Sequence, residues 1–348
     1  MERLELSRRG FLATGAVAAG SVLWGGDGAN GQIARWSKVQ FASAPKDTYF
    51  EWVDVAKDVR MIVGVGWNSV AIKTNEGTVL IDTKTAPYAG TLKREVGEAS
   101  SAVERVVITS HHAEATGGNR EFAKSVPVYG HPKAAARIEG QLNLYLSQMK
   151  AGLFEKKSAS KAVEAKVGAE YKAIYREKDQ FKPSEFAPTK TIDAEAKWTV
   201  GGVEIEVTPV GPAMTDNDLI VRLPKLNVVC VGGLVCPGEY APLEPFDGAS
   251  VAGWEKALAT IKSKCDAKTI VVCSIGGAKG KTDVKAVDTQ IAYFASLRKL
   301  VTGAIDRQVN RMDVLKLDAS VLGKLGAPER LKRSLGSMYD EIAKDRLK

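Results

Sequence analysis

Apolar positions change their period several times along this chain. In VRMIVGVGWNSVAIKTNEGTVLIDT (59–83) two apolar runs flank a glycine-rich link, and Thr-Asn-Glu-Gly then turns the chain into a further run, TVLID. Consecutive antiparallel strands are expected there. Tyr88, Leu92 and Val96 then recur every fourth residue, which is one face of a helix. RVVIT (105–109) reads as a buried strand, GGNREFAKS as the next helix and VPVYGH as a short strand. From Pro132 the period is helical again, with Ile138, Leu142, Tyr145, Leu146 and Met149 on one face. Residues 150–190 are charged and alanine-rich, so the stretch near 132–190 is expected to be a helical insertion over one rim. KWTVGGVEIEVTPVG predicts a hairpin, and DLIVRLPKLNVVCVGGLV a second strand pair turned at Pro224–Asn227. VAGWEKALATIKS reads as helix, KTIVVC as strand, and Val284, Val287, Ile291, Phe294 and Leu297 mark a long helix. The tail, 303–348, is expected to be a helical extension. Two groups of strands, each with helices attached, predict an α/β layered chain: two mixed sheets face to face with helices outside.

Bulk composition sets few further limits. The chain has 348 residues, 45% hydrophobic, with a net charge of +8. That length suits a large core of one or two domains. The basic residues are interspersed with acids, as on a solvated face, and no nucleic-acid-reading motif accompanies them.

The N-terminus carries more. In SRRGFLATGAVAAGSVLWGG, Arg8 and Arg9 precede a weakly apolar Ala- and Gly-rich run, and Ala29–Gly31 offers a cleavage site. This pattern resembles a twin-arginine export signal over residues 1–31. It implies engagement by the export machinery and a periplasmic or extracellular destination, with membrane tethering if the segment stays on. Residues 1–31 balance Arg3, Arg8 and Arg9 against Glu2, Glu5 and Asp27, so the remainder keeps +8. The four cysteines show no CxxC spacing. Cys230 and Cys273 each end an apolar run. They are expected to be buried thiols, or a bridge if their strands are neighbours in register.

Candidate chemistry centres on ITSHHAEATGGN (108–119), where a strand ends, histidines cluster and a glycine pair opens the next element. Ser110, His112 and Glu114 supply the residue types of a hydrolytic triad, although three residues this close seldom reach its geometry and no G-x-S-x-G elbow exists. His111, His112 and His131 are the only histidines. Adjacent His111 and His112 are expected to point oppositely if the segment is extended.

Taken in order, NSVAIKTNEGTVLIDTKTAPY, VVITSHHAEATGGNREF, VPVYGHPKA, VGPAMTDNDLIVRLPKLNVVCVGGLV and VVCSIGGAKG resemble the metallo-β-lactamase fold superfamily over about residues 50–300. The resemblance implies an αββα sandwich, spanning 32–302 here, with a dinuclear zinc site at one edge. It also implies a His-x-His-x-Asp-His motif before Gly-Gly. Aligned through Thr116–Asn119, the implied ligand positions are Ser110, His112 and Ala115 for the motif's histidines, Glu114 for its aspartate, Met214 and Ile275 for two further histidines, and Gly233 for a bridging aspartate. His112 alone keeps its ligand type, and Glu114 is lengthened by a methylene. At the other five the ligand type that the resemblance implies is lost. Asp82 matches a residue that supports the site from behind. No cofactor is therefore expected, a single non-family ion at His112 and Glu114 being the alternative. The first functional reading is a pseudoenzyme whose cleft, made apolar by Ala115, Met214, Ile275 and Trp67, binds a small molecule or a protein. The alternatives are a hydrolase with altered metal chemistry at His112 and Glu114, and a non-catalytic subunit, in a homo- or hetero-oligomer, of an active relative.

Overall fold

The computed structural model describes residues 47–141 and 160–347. Arg8, Arg9, the cleavage site and the face Leu142–Met149 lie outside the described residues.

Strands β1 (Glu51–Ala56), β2 (Val59–Val63), β3 (Ser69–Thr74), β4 (Gly77–Ile81), β5 (Val103–Val107), β6 (Val128–Gly130) and β7 (Lys190–Thr191) form one sheet in sequence order. β1 to β4 are antiparallel, and β4 to β7 are parallel. The second sheet runs β13 (Lys281–Asp283), β12 (Ile270–Val272), β11 (Val228–Cys230), β10 (Leu219–Leu223), β9 (Val203–Pro209), β8 (Ala196–Val200). The strands β7 and β13 escape the hydrophobic pattern because they are polar and very short, and β1 because its side chains are mostly partly exposed; each lies at a sheet edge.

Alternation explains the layers. Val79 and Ile81 of β4 face Val207, Leu219 and Val221 of the other sheet, while Leu80 between them faces outward onto Tyr88, Leu92 and Val96. These last three lie on or just before helix α1 (Ala89–Ala99). Ile220, between Leu219 and Val221, turns to the opposite outer layer. That layer holds α5 (Val251–Ser263), α6 (Val284–Asp306) and α8 (Leu331–Arg346), through Trp254, Phe294 and Met338. The expected GGNREFAKS helix shrinks to a single turn, α3 (Asn119–Phe122), and another turn, α2 (Ala113–Thr116), precedes it. In the 132–190 stretch the backbone is helical from 134 to 141, and α4 (Lys161–Glu177) packs Val167 and Tyr171 on the α1 layer.

The C-terminal residues are part of this body. α6 runs through position 302, and Leu335, Met338 and Ile342 of α8 share a core with Trp254. Glu341 accepts hydrogen bonds from the Val251 and Ala252 amides, both at 2.7 Å, and so caps α5. A short helix α7 (Arg311–Val314) lies against α8.

All four cysteines are free thiols. β11 and β12 are parallel neighbours, but Cys230 pairs with Val272. Cys273 is one residue further on, so its thiol faces the outer layer while that of Cys230 faces the inter-sheet core. Among the described residues no helix is long and apolar enough to cross a membrane.

Candidate functional site

β4, β5, β11 and β12 all end at one edge of the sandwich, and Asp82 ties those ends together. Its carboxylate accepts from the Thr109 amide (2.7 Å) and hydroxyl (2.8 Å), just beyond β5, and from Ser274 (3.1 Å), just beyond β12. The Leu219 amide donates to the Thr109 carbonyl at 2.8 Å, joining the two sheets again. Asp82 is thus a clamp on the strand ends that carry the motif.

Burial pushes the Asp82 carboxyl up to about 7, against the pull of those hydrogen bonds and of Lys84. An unfolded aspartate titrates near ~4. Between these pH values the folded chain holds a proton that the unfolded chain has lost, so this group's contribution to stability falls as pH rises. Asp82→Asn copies the neutral acid, with an amide donor replacing its hydroxyl. The melting temperature of the variant relative to wild type is expected to rise between about pH 5 and about pH 8. A difference independent of pH would refute a neutral, buried Asp82.

His111 and His112 do not point oppositely. β5 has ended at Val107, and His112 is already the residue that caps α2, its carbonyl accepting from the Ala115 and Thr116 amides. Strand alternation no longer applies, and the two rings stack at 4.8 Å, 23° apart. The His112 ring also lies 5.0 Å from that of Trp67. Burial, and then His111, push His112 down to about 3, so it is neutral at physiological pH.

The His111 side chain is fully buried. Its Nδ1 meets the Asn217 amide (Nδ2 at 2.9 Å, Oδ1 at 3.3 Å), and its Nε2 lies 3.5 Å from Asp247 Oδ1. Burial raises Asp247, but His111 and His112 outweigh it and hold the carboxyl below the usual range. Glu114 is raised by burial, and its side chain runs along Gly66. No hydrogen bond joins Ser110 to His112: Ser110 Oγ and His112 Nε2 are both buried without a partner among the described residues. The Ser110–His112–Glu114 triad is therefore not assembled. His131 lies elsewhere, its Nδ1 accepting from the Lys133 amide at 3.2 Å.

The remaining positions implied by the resemblance are packed shut. Ala115, Met214 and Ile275 are buried, and Met214 belongs to the core beneath α5. A Cβ added at Gly233 would lie 2.6 Å from Met214 Sδ and 3.0 Å from the Trp67 ring. A side chain at 233 would thus meet Met214 and Trp67. The dinuclear zinc set implied by the resemblance does not fit these residues: Ala115, Gly233 and Ile275 offer no donor, and the space before Gly233 is filled.

Beside this edge lies a cavity of about 800 Å³. His112, Glu114 and the loop Glu244–Asp247 form one wall, and Arg311, Arg333 and Asp340 of α7 and α8 another. Arg311 pairs with Asp340 and Arg333 with Glu244, so much of the wall's charge is already compensated. Sequence reading missed Asp247 and Asn217. Both sit in turns far from the motif, and the signals that mark them, PFDG and TDND, are ordinary turn chemistry.

No family model matches this sequence, and no curated protein sequence does. Solved structures do match in shape. A metallo-β-lactamase from Pontibacter korlensis superposes with a TM-score of 0.53 at 17% identity, over 71% of this chain and 99% of that one. Metallo-β-lactamase IND-7 gives 0.50 at 19%, over 70% and 98%. A double mutant of the sec-alkyl sulfatase PisA1 gives 0.59 at 17%, over 84% of this chain and 50% of its own. With its two mixed sheets between helical layers, this chain has the metallo-β-lactamase fold.

Proposed function

We propose that this is an exported protein of the metallo-β-lactamase fold that has given up the dinuclear zinc centre and binds a polar small molecule in the neighbouring cavity. The observation that carries this reading is the contact of Met214 and Trp67 with the space before Gly233. A bridging carboxylate cannot be housed there without moving a buried thioether and an indole. The cavity of about 800 Å³ supports the binding half of the reading, since it has the size of a small-molecule site. Its ion-paired arginines and the carboxyls of Glu114 and Asp247 suit a ligand with polar groups of both kinds. Export rests on Arg8 and Arg9 and the weakly apolar run behind them.

The test is elemental analysis of the tag-free chain, purified without chelator from the exported fraction and then loaded with excess zinc. The expected result is a mass lacking residues 1–31 and fewer than two zinc ions per chain. Two ions per chain, together with hydrolysis of a β-lactam or a sulfate ester, would overturn the reading.

A further inference from the structure

Three buried polar atoms near the cavity have no hydrogen-bond partner among the described residues: His111 Nε2, His112 Nε2 and Asp247 Oδ2. A buried polar atom left unsatisfied is destabilising, and three in one place call for a shared partner. The groups converge from distant parts of the chain. One ligand atom from each of His111, His112 and Asp247 lies within 4.8 Å of the others. Two nitrogens and a carboxylate are the donor set of a zinc-type ion.

We infer that His111, His112 and Asp247 form a site for a single divalent transition metal ion, zinc in the first instance, facing the cavity. The site shares only His112 with the positions implied by the metallo-β-lactamase resemblance. His111 falls on a variable position of that motif, and Asp247 comes from the turn before α5. The inference rests on the reading that the dinuclear centre is gone, and it adds an anchoring ion to the same cleft.

Geometry and surroundings both support the site. Bonds of ~2.1 Å in a tetrahedral shell put donor atoms about 3.4 Å apart. His111 Nε2 and Asp247 Oδ1 already stand at 3.5 Å. Asn217 lies directly behind the first ligand, with Nδ2 at 2.9 Å and Oδ1 at 3.3 Å from His111 Nδ1; an ion on Nε2 selects the tautomer with its proton on Nδ1, which Asn217 Oδ1 then accepts. The Asn217 amide nitrogen also donates to Asp216 Oδ1 at 3.0 Å. Arg137 pairs with Asp216 at 2.7 Å and holds the Phe246 carbonyl at 2.6 Å, which fixes the turn that presents Asp247. A network of this kind behind the ligands is what a metal site needs to hold its shape. His112 and Asp247 line the cavity, so the fourth coordination position opens into it. That position would take an oxygen or nitrogen donor of the bound molecule, or water.

The test is calorimetric titration of the tag-free, EDTA-stripped mature chain with Zn²⁺, with the visible spectrum of the Co²⁺ form as a second readout. One equivalent is expected, with a tetrahedral cobalt spectrum and a raised melting temperature. Asp247→Asn keeps the shape of the side chain and should weaken zinc at least about 100-fold, as should His111→Gln. Asn217→Ala, behind the ligand, should weaken it by about tenfold. Circular dichroism of each variant separates a lost site from a lost fold. No zinc binding by the wild-type chain overturns the site but leaves the binding reading in place. One equivalent that persists undiminished in Asp247→Asn and His111→Gln overturns the placement. Two equivalents that persist in both variants overturn this site and the loss of the dinuclear centre together.

Discussion

Gly233→Asp, which restores the carboxylate that the resemblance calls for, is expected to lower stability by about 3 kcal/mol and to recruit no second metal. The new Cβ meets Met214 Sδ at 2.6 Å and the Trp67 ring at 3.0 Å before any carboxylate is placed. Met214 is 1% exposed and packed in the core beneath α5, so its thioether has little room to retreat. The carboxylate itself would be buried against sulfur and indole with no donor facing it. Met214→His removes the obstructing thioether and supplies the histidine implied at that position. The double variant should therefore recover part of the loss, and a double-mutant cycle by urea unfolding measures that coupling. Additive losses, with no coupling between 214 and 233, would mean that Met214 is not what fills the site.

Gly118→Ala is expected to cost about 3 kcal/mol or more, the second large effect. Gly118 has an ordinary helical φ of −83°, so backbone strain plays no part. The obstacle is the Thr83 carbonyl oxygen, 2.2 Å from where the Cβ would sit, with Thr83 Cβ at 2.9 Å. A backbone oxygen cannot swing aside as a side-chain tip can. The Gly118 amide also donates to the Lys84 carbonyl and to Thr83 Oγ1, so displacement breaks two hydrogen bonds. Gly97→Ala in α1 is the contrast. Nothing lies within 4 Å of its Cβ position, and the same exchange should stabilise by about 0.5–1 kcal/mol. Equal effects at both sites in urea unfolding would refute the steric account. The contact also gives a physical reason for glycine at 118: it lets the turn carrying His112 pack on the end of β4.

Much of the fold was legible because burial imposes a period on the sequence. Val79, Leu80 and Ile81 divide between two layers by simple alternation, and so do Leu219, Ile220 and Val221. The absence of a side-chain donor at Ala115, Gly233 and Ile275 is legible too, because it is visible in the residue's name. Edge strands such as β1 and β13 were not, since one exposed side removes the alternation. The candidate site was legible only at His112 and Glu114. The direction of His111 was not legible, because β5 ends at Val107 and strand alternation does not reach residue 111.

What the sequence alone determined is therefore local: which segments pair or coil, which faces are apolar, and which donors are missing. Tertiary structure decided the rest. It brought Asn217 to His111 across 106 residues of chain, set Asp247 beside both histidines, and built a cavity wall from α7 and α8. It also pressed Met214 and Trp67 against Gly233. Convergence of this kind depends on where turns such as TDND and PFDG deliver their side chains. Such turns have no period, and their residues are chosen for backbone conformation, so the chemistry they carry shows only once the sheets are packed.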